Sequence, residues 1–343
     1  MAKNRMAKLR ERHSDPFATR KLAFDAAIES IKEDDPIRYV IGTMKSIPKS
    51  YTEATFEEGE RVKVQLNKTL NFGGSKAQFR YQGSVTNDTH IKFYSDADLL
   101  VIDTNFVSIE PPKKPASPYK RDPLAELMQL RTDCTAILKK EFPAAKIDTD
   151  GAKCVSISGG SLHRKIDVVI ANWWNTVEYQ RSASEIVRGV KVFDAFELER
   201  IENKPFFHNE LVDKRDKQFN GNLRRVCRYL KSEKYDTETD VNISSYDIVS
   251  IAWNMPDSLL VGEKGQELAL AQNARMYLRF LLNNETARNA LSVPNGMRRV
   301  FGEEGATKSG LSTLYAEVNE GLTQVEASLA KTFRKIQDAR VAY

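Results

Sequence analysis

Two aspartates and a glycine-serine pair stand out in this chain as residues whose types and spacing suit phosphate chemistry. Ser95-Asp96-Ala97-Asp98 opens the apolar run Leu99-Leu100-Val101-Ile102, which reads as a mostly buried strand. Side chains two apart on a strand share a face, so Asp96 and Asp98 stand side by side while Ala97 and Leu99 face the other way. Paired anions repel each other, and water, a shared proton or a cation must lower the cost; an oxygen-rich pair suits Mg²⁺. Upstream, Gly83-Ser84 supplies a complementary half: glycine lets backbone approach a phosphate, and serine offers a hydroxyl and an N–H. Alone, Asp-x-Asp also describes a solvated strand end or a capping turn.

Gly-Ser, a spacer and then Asp-x-Asp on a strand resembles the DNA polymerase β-like nucleotidyltransferase superfamily. That resemblance implies a third carboxylate on a neighbouring strand. Asp167, which interrupts the apolar run Lys165-Ile166-Asp167-Val168-Val169-Ile170, is the residue that fits.

These residues need a sheet and helices to position them. Residues 1–17 read as a flexible basic arm. From Ala18, the spacing of Phe24, Ala27, Ile28 and Ile31 predicts a long first helix, interrupted at Pro36 and resumed by Ile37, Val40, Ile41 and Met44. Between Ala54 and Leu70 the alternation Val62, Val64, Leu66 suits a strand, but four-residue spacing to Leu70 and acids near the start favour a helix. Gly73-Gly74-Ser75 closes it, and Gln78 to Tyr81 reads as a first strand. Pro111-Pro112-Lys113-Lys114-Pro115 is a surface loop, and Asp122-Pro123 starts a helix by cap and first-turn preference. Strands follow near Ile147, over Lys153–Ser158 and over Lys165–Ala171, with Gly159-Gly160 as a hairpin turn, and Lys191-Val192-Phe193 adds another.

Beyond Pro205 the pattern is helical. Leu223, Val226, Cys227 and Leu230 form one face, flanked by Arg224, Arg228 and Lys231, and Ser244-Ser245-Tyr246 caps a following helix. Two long helices close the chain, about 265–291 and 311–342, the second with Leu314, Val318, Leu322, Val325, Leu329, Phe333 and Ile336 on one stripe. The expected domains are a basic arm (1–17), a mixed-sheet lobe with its first helix (18–200) and a helical lobe (201–343).

Composition sets the broad class. The 343 residues are 41% hydrophobic and 29% charged, ordinary for a soluble globular protein. No apolar run reaches the length of a bilayer span, and the basic start is followed by no hydrophobic segment, which predicts a protein without a signal peptide or membrane helix. Three scattered cysteines and four histidines argue for a reduced, cytoplasmic protein and against a zinc site. A net charge of +5 suits nucleotide binding and argues against a stable complex with a long nucleic acid.

Within the superfamily the chain resembles the cGAS/DncV-like nucleotidyltransferases. The residues that carry this are Gln82-Gly83-Ser84 with Thr89 and Ser95-Asp96-x-Asp98; Lys165-Ile166-Asp167-Val168-Val169; and Arg224-Arg225-x-x-Arg228-x-x-Lys231 followed by Ser244-Ser245-Tyr246. The resemblance implies an α+β fold: a polymerase β-like mixed-sheet lobe with an N-terminal spine helix, packed on a C-terminal helical lobe. It implies a Mg²⁺-dependent enzyme that joins nucleoside triphosphates into a cyclic di- or trinucleotide for bacterial antiphage (CBASS) signalling, acting on a downstream effector through that product. A helical surface could also dock a regulatory protein. Asp96, Asp98 and Asp167 would hold two Mg²⁺ ions and act catalytically. Gln82, Gly83 and Ser84 would bind the triphosphate, with Lys231, Ser245 and Tyr246 as nucleotide contacts on the helical lobe. For Lys231 the alternative is a solvated helix flank, and for Tyr246 ordinary packing. Two other functions remain open: terminal nucleotide transfer to RNA or protein, and an inactive nucleotide-binding module.

Overall fold

The computed structural model describes Arg5, Lys8 and residues 35–72, 76–92, 94–263 and 265–341. Two compact units emerge, and they interleave along the chain. Helix α1 (Asp35–Met44) belongs to the helical unit, as do the described residues of 89–94 and those from Val212 onward; the described residues of 48–88 and 95–211 form the sheet unit. The expected break between 200 and 201 therefore falls at Leu211/Val212, and the described segment 35–47 goes with the helices. The helical spacing from Ala18 to Ile31, and Gly73-Gly74-Ser75, lie outside the described residues.

The sheet unit starts with α2 (Lys49–Leu70). Its helical period wins over the competing alternation: Val62 and Leu66 are fully buried, whereas Val64, which a strand would have buried with them, is 50% exposed. Then come β1 (Ala77–Gln82), β2 (Ala97–Ile109), α3 (Pro123–Glu141), β3 (Lys146–Asp148), β4 (Cys154–Gly159), β5 (Leu162–Asn175), β6 (Gly189–Asp194) and β7 (Glu199–Asn203). Asp122 caps α3, its carboxylate accepting from Leu124 N at 2.9 Å, with Pro123 in the first turn where no N–H is needed.

The strand order is β1-β2-β5-β4-β3, with β6 pairing β5 and β7. β2 and β5 run parallel and the other pairs are antiparallel, so the sheet is mixed. Helices α2 and α3 bury one face, packing Leu66, Leu127 and Leu138 on Leu99, Val101, Ile166 and Val168. The other face carries a smaller cluster of Leu100, Ile102, Val169, Ala171, Trp173, Val190 and Val192. Burial on both faces explains why β2 reads as a continuous apolar run.

In the helical unit, α4 (Pro205–Gln218) spans the unit boundary and leads to α5 (Asn222–Asp236), α6 (Ser245–Trp253), α7 (Glu267–Asn283) and α8 (Lys308–Val341). Their common core includes Val40 and Met44 of α1, Leu223 and Leu230 of α5, Ile248 and Ile251 of α6, Leu278 of α7, and Leu314 and Val318 of α8. The α8 stripe is buried through Val325 and surfaces at Leu329; the side chains of Phe333 and Ile336 lie outside the described residues. The single helix expected over 265–291 is broken at Asn284, whose side chain caps a second short helix (Glu285–Ala290) by accepting from Ala287 N at 2.9 Å. The basic arm lies outside the described residues apart from Arg5 and Lys8. Arg5 is buried and ion-paired with Glu233 at 2.5 Å and with Glu317, while Lys8 donates to Asp236 O at 3.0 Å.

Candidate active site

Strand register assembles the acids. Asp98 stands opposite Asp167 on parallel β5 and opposite Gln82 on antiparallel β1, and Asp167 stands opposite Ser156 on β4. Gln82, Asp98, Asp167 and Ser156 thus form a row across four neighbouring strands, with adjacent strands about 4.8 Å apart. Asp96, one residue before β2, shares the face of Asp98. The three acids sit on the same sheet face as the smaller apolar cluster, because Leu100 and Val169 follow Asp98 and Asp167 by two residues.

Gly83 makes this row possible on the β1 side. It adopts φ +81°, and a Cβ at this position would lie 2.0 Å from Asp98 Oδ2. Only glycine combines that backbone conformation with so close an approach to the carboxylate. The turn that carries Gly83 and Ser84 is braced from within the sheet unit: Thr86 Oγ1 donates to Gly83 O at 2.7 Å, and Asn209 of α4 donates its amide to Thr86 Oγ1 at 2.8 Å.

Other contacts hold the carboxylates. Ser156 Oγ donates to Asp167 Oδ1 at 2.5 Å, and Lys165 Nζ donates to Asp96 Oδ2 at 2.7 Å while approaching Asp167 Oδ1 at 3.2 Å. Burial raises Asp96 above the ordinary carboxylate range; Lys165 opposes the rise and the Asp167 charge adds to it. Burial works to lower Lys165, but the two carboxylates outweigh it and leave the ammonium more firmly protonated than usual. Cys154 is raised chiefly by burial and then by Asp167, so it is a thiol rather than a reactive thiolate.

Among the described residues, no three His, Cys, Asp or Glu side chains converge into a ready-made metal cage. The donor set still fits a hard divalent cation. It is all oxygen, and the Gln82 Oε1 in the same row is buried with no hydrogen-bond partner among the described residues. Mg²⁺ in particular is held by one or two carboxylates completed by water and substrate phosphates rather than by a full protein cage.

The candidate contacts of the helical unit are described within that unit. Lys231 is fully buried, and its Nζ donates to Thr89 O at 2.8 Å, tying residues 89–94 to α5; Tyr94 of that segment stacks on Tyr235 with ring centroids 4.9 Å apart. Ser245 Oγ lies 2.9 Å from Tyr235 Oη. Tyr246 packs against the helical core, its hydroxyl donates to Asn295 Oδ1 at 3.3 Å, and Arg298 lies over its ring at 5.3 Å. Sequence reasoning singled out the acids but missed Lys165, Ser156, Thr86 and Asn209 as their supports. A signal existed for Lys165, since two-residue spacing from Asp167 on a strand places it on the acidic face.

The family model for the cGAS/DncV-like nucleotidyltransferase C-terminal helical domain matches residues 210–321. The chain is 38% identical over 298 residues to a cyclic dinucleotide synthase, CdnE, of Yersinia aleksiciae, covering 86% of this chain and 78% of that one. It is 29% identical over 249 residues to a c-di-GMP synthase of a Lachnospiraceae bacterium, covering 65% and 70%. Its fold is similar to the solved structure of a STING-associated CdnE c-di-GMP synthase from Capnocytophaga granulosa, with a TM-score of 0.77, 25% identity and coverage of 95% of this chain and 99% of that one.

Proposed function

This chain belongs to the cGAS/DncV-like nucleotidyltransferases, and from that premise we propose that it joins two nucleoside triphosphates into a cyclic dinucleotide that acts as a second messenger in bacterial antiphage (CBASS) signalling. The observation that carries the proposal is the row formed by Asp98 and Asp167 with Asp96 beside them, flanked by the Gly83-Ser84 turn. Similarity to synthases of cyclic dinucleotides supports the choice of product.

Asp96, Asp98 and Asp167 would hold two Mg²⁺ ions, which when bound supply a lowered pKa at the attacking sugar hydroxyl and charge neutralisation at the leaving pyrophosphate. The protein's own part is positional. The Gly83 backbone and Ser84 would receive triphosphate oxygens, and Gln82 lends its amide at the edge of the acidic row. Ser156 fixes one oxygen of Asp167 and leaves the other for ligation. Nucleotide contact by Lys231, Ser245 and Tyr246 belongs to the same proposal, with Lys231 reaching a phosphate only by exchanging Thr89 for it. No described helix is long and apolar enough to cross a membrane. The proposal places the enzyme in the cytoplasm with its triphosphate substrates, its product acting on a separate effector and a protein partner regulating it.

The test is to incubate the purified protein with all four NTPs and Mg²⁺, with and without infected-cell lysate, digest with phosphatase and weigh the resistant product. A cyclic dinucleotide mass, lost in an Asp96→Ala, Asp98→Ala double variant, is the expected result. Extension of an added RNA or labelling of a protein, with no resistant dinucleotide, would overturn it in favour of terminal transfer. No turnover under any condition, with nucleotide still bound by the double variant, would overturn it in favour of a binding module.

A further inference from the structure

Lys165 precedes Asp167 by two residues on β5 and projects from the same face. Its ammonium donates to Asp96 Oδ2 at 2.7 Å and lies 3.2 Å and 3.4 Å from the two oxygens of Asp167. One cationic group thus spans the acid at the mouth of β2 and the acid on the neighbouring strand. Two of those oxygens, Asp96 Oδ2 and the Asp167 Oδ2 that Ser156 does not hold, are the ones a divalent cation would need. Mg²⁺ or Mn²⁺ binds oxygen at about 2.0–2.2 Å, inside the distance at which an ammonium can share the same lone pairs. The two cations therefore exclude each other. At 43% side-chain exposure, Lys165 has solvent into which its flexible stem can swing.

We infer that Lys165 is a positioning residue for the acidic site: before a divalent cation binds, its ammonium holds Asp96 and Asp167 on the sheet face against their mutual repulsion, and it withdraws as the cation takes their oxygens. This rests on the reading of the triad as a cation site and deepens it. Lys165 then acts in two opposing ways. It keeps the acids in place when no cation is bound, and it competes with the cation that replaces it. Ion pairs as exposed as these shift an equilibrium by roughly 1.5- to threefold each, so removing the charge that makes both should tighten cation binding roughly two- to tenfold overall.

Two measurements test this without reading catalysis. Mn²⁺ alone is titrated into the wild type, Lys165→Gln, Lys165→Arg and the Asp96→Ala, Asp98→Ala variant, following the electron paramagnetic resonance signal of free Mn²⁺. Lys165→Gln should bind Mn²⁺ two- to tenfold more tightly and melt at a lower temperature without it, while Lys165→Arg, which keeps the charge, should show no tightening. In the wild type, acetylation of Lys165 by acetic anhydride, read by mass spectrometry, should speed up at least threefold when Mn²⁺ is added; this arm needs no variant to fold. Unchanged or weaker Mn²⁺ binding by Lys165→Gln, or Lys165 acetylation that stays level or slows, overturns the inference while leaving the cation site intact. Wild-type binding no stronger than that of the double variant overturns both.

Discussion

Gly83→Ala should abolish most activity while leaving the protein folded. The added Cβ would meet Asp98 Oδ2 at 2.0 Å and Asp98 Cγ at 3.0 Å, on a backbone held at φ +81°. The left-handed conformation alone costs an L-residue roughly 1–2 kcal/mol. The contact must also be relieved, and the carboxylate would have to retreat by about 1 Å, a misplacement that can cost on the order of 100-fold in rate. Backbone relaxation of the turn is resisted by the Thr86 and Asn209 hydrogen bonds, so Asp98 is the group that moves. The assay is initial rate of pyrophosphate release against NTP and Mg²⁺ concentration, alongside a melting curve. A fall of about 100-fold in kcat with a shift in melting temperature of only a few degrees is expected. Activity within threefold of wild type would show that Asp98 does not need to sit against Gly83 and would refute the reasoning.

Ser156→Ala removes the 2.5 Å hydrogen bond to Asp167 and should raise the Mg²⁺ concentration needed for half-maximal activity by roughly tenfold, in the range usual for groups that orient a metal ligand. His90, buried and held down to about 4 by burial and by the neighbouring Lys231 and Arg228 charges, gives a pH dependence of stability. The unfolded chain takes up this proton near pH 6.5 and the folded protein only near 4, so stability is lost as pH falls through that window, by up to about 3 kcal/mol. Urea denaturation of His90→Gln between pH 7 and 4 should show a correspondingly flatter profile. Arg5→Ala leaves the buried Glu233 and Glu317 without their cation and should cost about 3–5 kcal/mol in chemical denaturation, a loss that a solvated basic arm would not show.

The acids were legible because their chemistry is local: two aspartates at the mouth of one strand, and a third that interrupts an apolar run between Ile166 and Val168. The register that joins them was implied only by the resemblance. Their supports depend on pairings between distant segments. Asn209 reaches Thr86 across 123 residues, and Lys165 reaches Asp96 across 69, so periodicity within either segment carries no trace of the contact. The interleaving of the two units escaped for the same reason: Thr89 to Tyr94 look like the spacer between Ser84 and Asp96 until Lys231 is seen to bind Thr89 O. β7 was missed because Glu199-Arg200-Ile201-Glu202-Asn203 carries mostly charged side chains at a sheet edge, without the apolar alternation by which strands are recognised. Asn284 was passed over because the apolar spacing continues on both sides of it, while its own preference for a cap position decided the structure.

The most direct test of the acidic row as the reaction centre is a crystal of the protein grown with Mn²⁺ and a non-hydrolysable NTP, measured at the manganese edge. An anomalous peak ligated by Asp98 together with Asp96 or Asp167, with the triphosphate against the Gly83-Ser84 turn, is the predicted result. A triphosphate seated elsewhere, with no manganese at these carboxylates, would contradict it.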